Sequence, residues 1–318
     1  MDEMSEMEMI EEAARKIISM EVRGAAKIAR FAAETLLEFV QKIGDDFDVK
    51  IKEAADKLLN TRPTAVSLYN AINYVMQYSG ETVEEKREDL IKRATEFINW
   101  VDSAKREIGK IGVRRIKRFS TILTHCNSSA ALSVIKEAHK AGKEIEVFAT
   151  ESRPRYQGHI TVRELRNEGI PVTLIVDSAV RYFMRDIDYV IVGADAITVN
   201  GALINKIGTS QIALCANEFR VPFMVAAETY KFSPKTLAGE TVVIEERSPK
   251  EVVSEDLLST GVRVRNPAFD ITPRRYIDLI ITEIGAIPPE MAYLVIKERF
   301  GFRLPTEEEM LVSPEHYD

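Results

Sequence analysis

The chain predicts an α/β protein in which a helical N-terminal domain precedes a doubly wound, mostly parallel sheet. Three observations carry this. Apolar residues recur at helical spacing as far as about residue 115. From about residue 116, short β-branched runs alternate with helical stretches, the pattern of strands joined by crossover helices. A length of 318 residues is also generous for one core, which places domains at 1–115 and 116–318.

The helical part reads in order. Ile10, Ala13, Ala14, Ile17 and Ile18 mark a first amphipathic helix, interrupted at 20–24. A second runs over 25–39, with Ile28, Ala32, Leu36 and Phe39 on one face. A third over 51–59 stops at Thr61-Arg62-Pro63, because proline disfavours the α region in the residue before it. Helices over 66–76 and 84–108 complete the set. Expected strands follow at 119–123, 145–148, 172–176, 189–192, 223–226, 242–244 and 279–281. Expected helices lie between them at 130–141, 161–167, 205–216 and 291–300.

Composition narrows the functional classes. The net charge of −7 argues against a surface that coats nucleic acid, while leaving room for a local basic pocket. The acidic, amphipathic start is no secretory signal, and no apolar run approaches a membrane span. Cys126 and Cys215 form neither a disulfide framework nor a zinc-binding spacing. A cytoplasmic protein without metal or cofactor is the expectation. No GxGxxG follows the first strand and no Walker A sequence is present, which argues against dinucleotide binding of the usual kind and nucleoside triphosphate hydrolysis.

The chemistry-bearing residues sit at strand ends, where open α/β sheets collect ligands. Val190-Ile191-Val192 reads as a buried strand that stops at Gly193, and Asp195 follows directly. Alone, Asp195 is as readily a turn or cap residue as a catalytic acid. The first strand ends at Thr124-His125-Cys126-Asn127-Ser128-Ser129, ahead of a helix. Asn127, Ser128 and Ser129 are natural caps, yet a helix N-terminus is also an anion site, and it would lower the pKa of Cys126. A buried small hydrophobe is the commoner role of a lone cysteine, and Cys215 is read as core. His125 is more readily a satisfied buried histidine than a base, and neither His139 nor His316 stands in a suggestive context.

Cations recur at breaks in the pattern: Arg23, Arg62, Arg153, Arg155, Lys206 and Lys231. Lys206 is expected to open a helix after Asn205. Each alone is ordinary surface charge; together, at element ends, they suit a ligand with phosphate at one end or both. Asp177, Glu228 and Asp270 are read as structural, with Glu228 a partner for Lys231 and Asp270 a cap.

Taken in order, Arg23-Gly24-Ala25, Thr61-Arg62-Pro63-Thr64, Thr124-His125-Cys126-Asn127, Gly193-Ala194-Asp195, Asn200-Gly201, Asn205-Lys206-Ile207-Gly208-Thr209 and Asn266-Pro267-Ala268-Phe269-Asp270 form a set. This set resembles the family of sugar-phosphate isomerases and initiation factor 2B alpha, beta and delta subunits. The resemblance covers nearly the whole chain and implies a helical domain before a Rossmann-like domain. Within the family the residues look most like the archaeal branch that converts ribose 1,5-bisphosphate to ribulose 1,5-bisphosphate in nucleoside monophosphate salvage. The alternatives are the methylthioribose 1-phosphate branch, whose Leu-Asp-Gln and Gly-Ala-Pro segments are absent here, and a non-catalytic regulatory subunit. The resemblance implies Cys126 as proton acceptor and Asp195 as proton donor. It implies substrate contacts from Arg23, Gly24, Ala25, Ala26, Arg62, Ser128, Ser129, Ala130, Asn205, Lys206 and Lys231. A phosphorylated sugar as ligand, AMP as an activator, and a homo-oligomer built from dimers, up to a hexamer, belong to the same implication.

Overall fold

In the computed structural model, residues 6–44, 46–238 and 242–300 are described; His316 and the first five residues lie outside them. Five helices come first: α1 (Glu6–Ile18), α2 (Ala25–Lys42), α3 (Phe47–Leu59), α4 (Val66–Met76) and α5 (Val83–Gly112). Their inward faces carry the expected apolar stripes, including Ile10, Ile28, Leu36, Phe39, Leu58 and Leu68, all buried. Ile18 is the exception, exposed at the end of α1. Helix α5 starts at a capping box, in which the Thr82 hydroxyl accepts from the Glu85 amide at 3.2 Å and the Glu85 carboxylate accepts from the Thr82 amide at 3.2 Å. Its Phe97 packs in the helical core, whereas Ile108, further along, joins a core under the sheet. One helix thus serves both layers.

The second part alternates strands and helices: β1 (Thr121–Thr124), α6 (Ser129–Lys140), β2 (Glu146–Thr150), α7 (Gln157–Asn167), β3 (Val172–Ile175), α8 (Val180–Phe183) and β4 (Tyr189–Val192). After these come β5 (Ala196–Ile197), β6 (Leu203–Lys206), α9 (Thr209–Phe219), β7 (Phe223–Ala226), α10 (Glu255–Ser259), β8 (Phe269–Thr272), β9 (Leu279–Thr282), β10 (Gly285–Ile287) and α11 (Ala292–Phe300). The main sheet has the order β10-β9-β7-β4-β1-β2-β3, parallel except for the edge strand β10. Residues alternate between its faces: Leu123, Val190, Val192 and Ile280 enter one core, and Ile122, Ile191, Met224 and Ile281 the other. Both faces are covered, which is why the strands read as near-continuous apolar runs.

Two expectations are corrected. Residues 242–244 form no strand; among the described residues near them only Glu246 makes a bridge, to Pro267. A β-branched run needs a neighbouring strand to pair with, and this segment crosses between elements instead. The helix expected over 205–216 starts only at Thr209. Asn205 and Lys206 end strand β6, which pairs antiparallel with β5 and β8 in a small separate sheet. Gly208, at φ +101°, makes the turn from that strand into α9.

Candidate active site

The strand order reverses between β1 and β4, so a crevice opens at their C-terminal ends. Cys126 follows β1 and Asp195 follows β4. Gly193 lets the two ends approach: a Cβ built on it would stand 2.1 Å from Ser128 Oγ and 2.4 Å from Ser128 Cβ. Any side chain at 193 would push β4 away from the start of α6. Asp195 is then fixed by its amide, which donates to the Ile204 carbonyl of β6 at 2.9 Å.

Cys126 is held in a left-handed backbone conformation, φ 66°. Its amide donates to Ser152 Oγ at 2.8 Å, and its carbonyl accepts from Thr161 Oγ1 at 2.7 Å. The Asp177 carboxylate in turn accepts from the Ser152 and Arg153 amides, each at 2.8 Å. His125 is buried with both ring nitrogens occupied, by Thr150 Oγ1 at 2.6 Å and the Ile207 carbonyl at 2.9 Å. Its burial holds its pKa below the ordinary histidine value. The satisfied-histidine reading therefore stands. Asn127 turns towards α7, donating to Thr161 Oγ1 at 3.1 Å and Glu164 at 3.2 Å.

The expected low pKa of Cys126 is corrected. Burial pushes the thiol up to about 11, and Lys206 nearby offsets this only in part. The sulfur lies in the crevice wall, where loss of water costs the anion more than a helix dipole returns. Asp195 also rises above the ordinary carboxyl value. Desolvation is again the main cause, opposed by Lys231, Lys206 and Arg62 and reinforced by Glu245. Both groups keep some surface open to the crevice while protein surrounds them on the other sides.

These mutual influences bring Cys126, Asp195, Lys206, Lys231 and Arg62 into one field. Lys231 sits in a 3₁₀ turn after β7 and pairs with Glu228 at 2.8 Å, with 6% and 1% of the two side chains exposed. That turn is clamped by the helical layer. Asn70 of α4 donates to the Tyr230 and Phe232 carbonyls at 2.8 Å, and Glu283 accepts from the Thr229 amide at 3.0 Å and from Trp100 of α5 at 2.8 Å. Lys206 Nζ lies 5.0 Å from the centre of the Phe269 ring. Asn205 is buried and donates to Thr209 Oγ1 at 3.0 Å. Asp270 caps α9, accepting from the Gly208 amide at 2.7 Å and the Ser210 amide at 3.1 Å.

The remaining expected contacts lie at helix starts. Ser128 caps α6, its hydroxyl accepting from the Ala131 amide at 3.3 Å. The amides of Ser129 and Ala130, in the first turn, have no acceptor within their own helix. Gly24, Ala25 and Ala26 open α2 in the same way. Arg23 lines a cleft of about 280 Å³ with Met20, Arg155, Gln157, His159 and Arg163. The structure therefore places Arg23 on the β2–α7 side of Cys126, apart from the cations that face Asp195. Sequence reasoning missed Gln157, whose buried Oε1 finds no partner among the described residues, and Glu245, which pairs with Arg62 at 2.6 Å. No local pattern marks either residue.

Fold and site together define a doubly wound α/β protein with a partly buried cysteine–carboxylate pair at its switch point, in the field of nearby cations. The chain belongs to the initiation factor 2 subunit family, whose model matches residues 21–289. A relative from Archaeoglobus fulgidus named ribose 1,5-bisphosphate isomerase is 70% identical over 98% of this chain and 100% of its own length. One from Methanocaldococcus jannaschii with the same name is 56% identical over 94% of this chain and 98% of its own. A solved structure from Pyrococcus horikoshii, described as the translation initiation factor eIF-2B, superposes with a TM-score of 0.78 at 35% identity, covering 88% of this chain and 97% of that one. No helix among the described residues is long and apolar enough to cross a membrane.

Proposed function

We propose that this protein is a sugar-phosphate isomerase that converts ribose 1,5-bisphosphate to ribulose 1,5-bisphosphate, serving nucleoside monophosphate salvage. The observation that carries the reading is the placement of Cys126 and Asp195 at the ends of neighbouring strands, partly buried and within the field of Lys206, Lys231 and Arg62. A purely regulatory subunit has no use for a desolvated acid–base pair. The cations and the helix starts at Ala25 and Ser129 suit a ligand bearing phosphates at both ends.

A ribose phosphorylated on C1 has no free carbonyl, so its ring must open. Asp195, protonated, donates to the ring oxygen as the C1–O4 bond breaks. Cys126, as thiolate, takes the C2 proton, and the electron pair becomes a C1=C2 bond. The thiol then returns its proton to C1, and the C2 hydroxyl proton passes to Asp195, leaving the C2 ketone. Atoms balance and both residues regain their starting forms.

The reacting pair carries one proton. Burial raises both groups, the thiol to about 11, while Lys231, Lys206 and Arg62 oppose the rise at the carboxyl. Activity therefore falls at low pH, where both groups are protonated, and at high pH, where both are ionised, and the two limbs belong to the pair. The test is to incubate the protein with ribose 1,5-bisphosphate and, separately, with methylthioribose 1-phosphate, following ketose formation by NMR. Turnover of the first alone supports the proposal; turnover of the second alone, or of neither, overturns it.

A further inference from the structure

We infer that Glu245 is a positioning residue for the proposed reaction, its carboxylate fixing the Arg62 guanidinium against the crevice that holds Asp195. The inference rests on the isomerase reading above. Residues 242–252, where a strand was expected in part, run as a strap between β7 and β8. The strap is tied down by backbone: the Ala268 amide donates to the Glu245 carbonyl at 2.8 Å, and the Arg247 amide to the Asn266 carbonyl at 2.9 Å.

Charges alternate along it. Arg62 Nη2 lies 2.6 Å from Glu245 Oε2, and Glu245 Oε1 lies 3.4 Å from Arg247 Nη1. Arg247 binds Glu251 through Nε at 2.9 Å and Nη2 at 2.7 Å, and Glu251 reaches Arg155 at 3.2 Å. The series begins on the loop between α3 and α4 and ends on the loop between β2 and α7, where Arg155 lines the Arg23 cleft. An isolated surface pair is worth little, but every charge inside this series has a neighbour on each side, and its geometry is held accordingly.

Glu245 engages one nitrogen of a group with five N–H donors, and among the described residues no other hydrogen bond occupies the fork, which leaves donors for a phosphate. The contrary reading is that Glu245 competes with phosphate for Arg62. Release would leave a half-buried carboxylate with only the longer contact to Arg247, on a backbone that the Ala268 amide holds in place, which favours positioning. Glu245 also adds negative charge on the side of Asp195 that Arg62, Lys206 and Lys231 make positive, Cys126 being a further group that faces the same crevice.

The test uses the full-length protein and two variants, Glu245→Gln and Glu245→Asp, with folding checked by circular dichroism. Glu245→Gln is expected to raise KM for ribose 1,5-bisphosphate about tenfold, with a smaller change in kcat. It should also move the acid limb of the pH profile to lower pH, because a charge that disfavours Asp195 ionisation is gone. Glu245→Asp keeps that charge but shortens its reach, so KM should rise while the acid limb stays in place. An unchanged KM and limb in Glu245→Gln overturns the inference, as does a lower KM, which would mark Glu245 as a competitor. Should the Gln variant fail to fold, wild-type KM in Glu245→Asp overturns it equally. Absence of turnover in the wild type itself would sink the isomerase reading and this inference with it, whereas active wild type with an indifferent Glu245→Gln sinks the inference alone.

Discussion

Gly193→Ala is the change that most directly perturbs the spacing of the acid–base pair. The new Cβ would meet Ser128 Cβ at 2.4 Å, against an ordinary carbon–carbon contact of about 3.5 Å. Rotating the Ser128 hydroxyl relieves only the 2.1 Å contact to Oγ, so the backbones must part by about 1 Å. That displacement falls between the end of β4, which carries Asp195, and the start of α6, which follows Cys126. Overpacking of this kind costs about 1–3 kcal/mol, and a 1 Å misplacement can cost about a hundredfold in turnover. Ser128→Gly removes both offending atoms and leaves Cα at 3.8 Å, at the cost of the cap on the Ala131 amide, a few tenths of a kcal/mol. The double variant should therefore be nearly as stable as Ser128→Gly alone, a coupling of about 1–3 kcal/mol in urea unfolding. Additive losses, or wild-type stability and turnover in Gly193→Ala, would refute the close-approach argument.

Three further outcomes are expected. With its pKa at about 11 in place of 9.0, Cys126 should carry about a hundredfold less thiolate near neutral pH than an ordinary thiol, so its alkylation by iodoacetamide should be slow at pH 8 and climb steeply towards pH 11; a rate like that of free cysteine would contradict the burial argument. Lys231→Met should weaken bisphosphates more than monophosphates and cost about 3–5 kcal/mol by leaving Glu228 buried without its partner, while adding Glu228→Gln should restore stability but not binding; equal losses for both ligand classes would remove Lys231 from a phosphate role. Asp195 has a folded pKa raised above its unfolded value of about 3.9, so the native state holds the extra proton and stability falls as pH rises through that interval. Urea unfolding should show Asp195→Asn gaining on wild type as pH rises from about 4, and a flat or opposite trend would overturn the sign.

Much of the architecture is legible because its signals are local. The strand over Tyr189–Val192 is short, β-branched and ends at a glycine, and it is found where the sequence places it. The α4 boundaries likewise follow from Pro63 before it and the apolar stripe within it. Strand β6 was not legible. Leu203–Lys206 is held by antiparallel partners in β5 and β8, and the latter lies more than 60 residues downstream in the register Asn205↔Asp270. Locally its Leu203 and Ile204 blend into the apolar pattern of α9. The same distance hides Glu245, whose partner Arg62 is 183 residues away. The case of Cys126 is different in kind. Its position before a helix is visible in the sequence, but the burial that outweighs the helix dipole is a property of the assembled crevice. Gln157 shows the same limit, since only packing shows its Oε1 to be enclosed and unpaired among the described residues.

The account turns on Cys126 and Asp195 acting as one proton-transfer pair. The direct measurement is turnover of ribose 1,5-bisphosphate across pH by wild type, Cys126→Ser and Asp195→Asn, each checked for folding by circular dichroism. The wild type should give a bell that falls where the pair holds two protons or none, and both variants should fall by at least about a thousandfold. Near wild-type rates in either folded variant would contradict it.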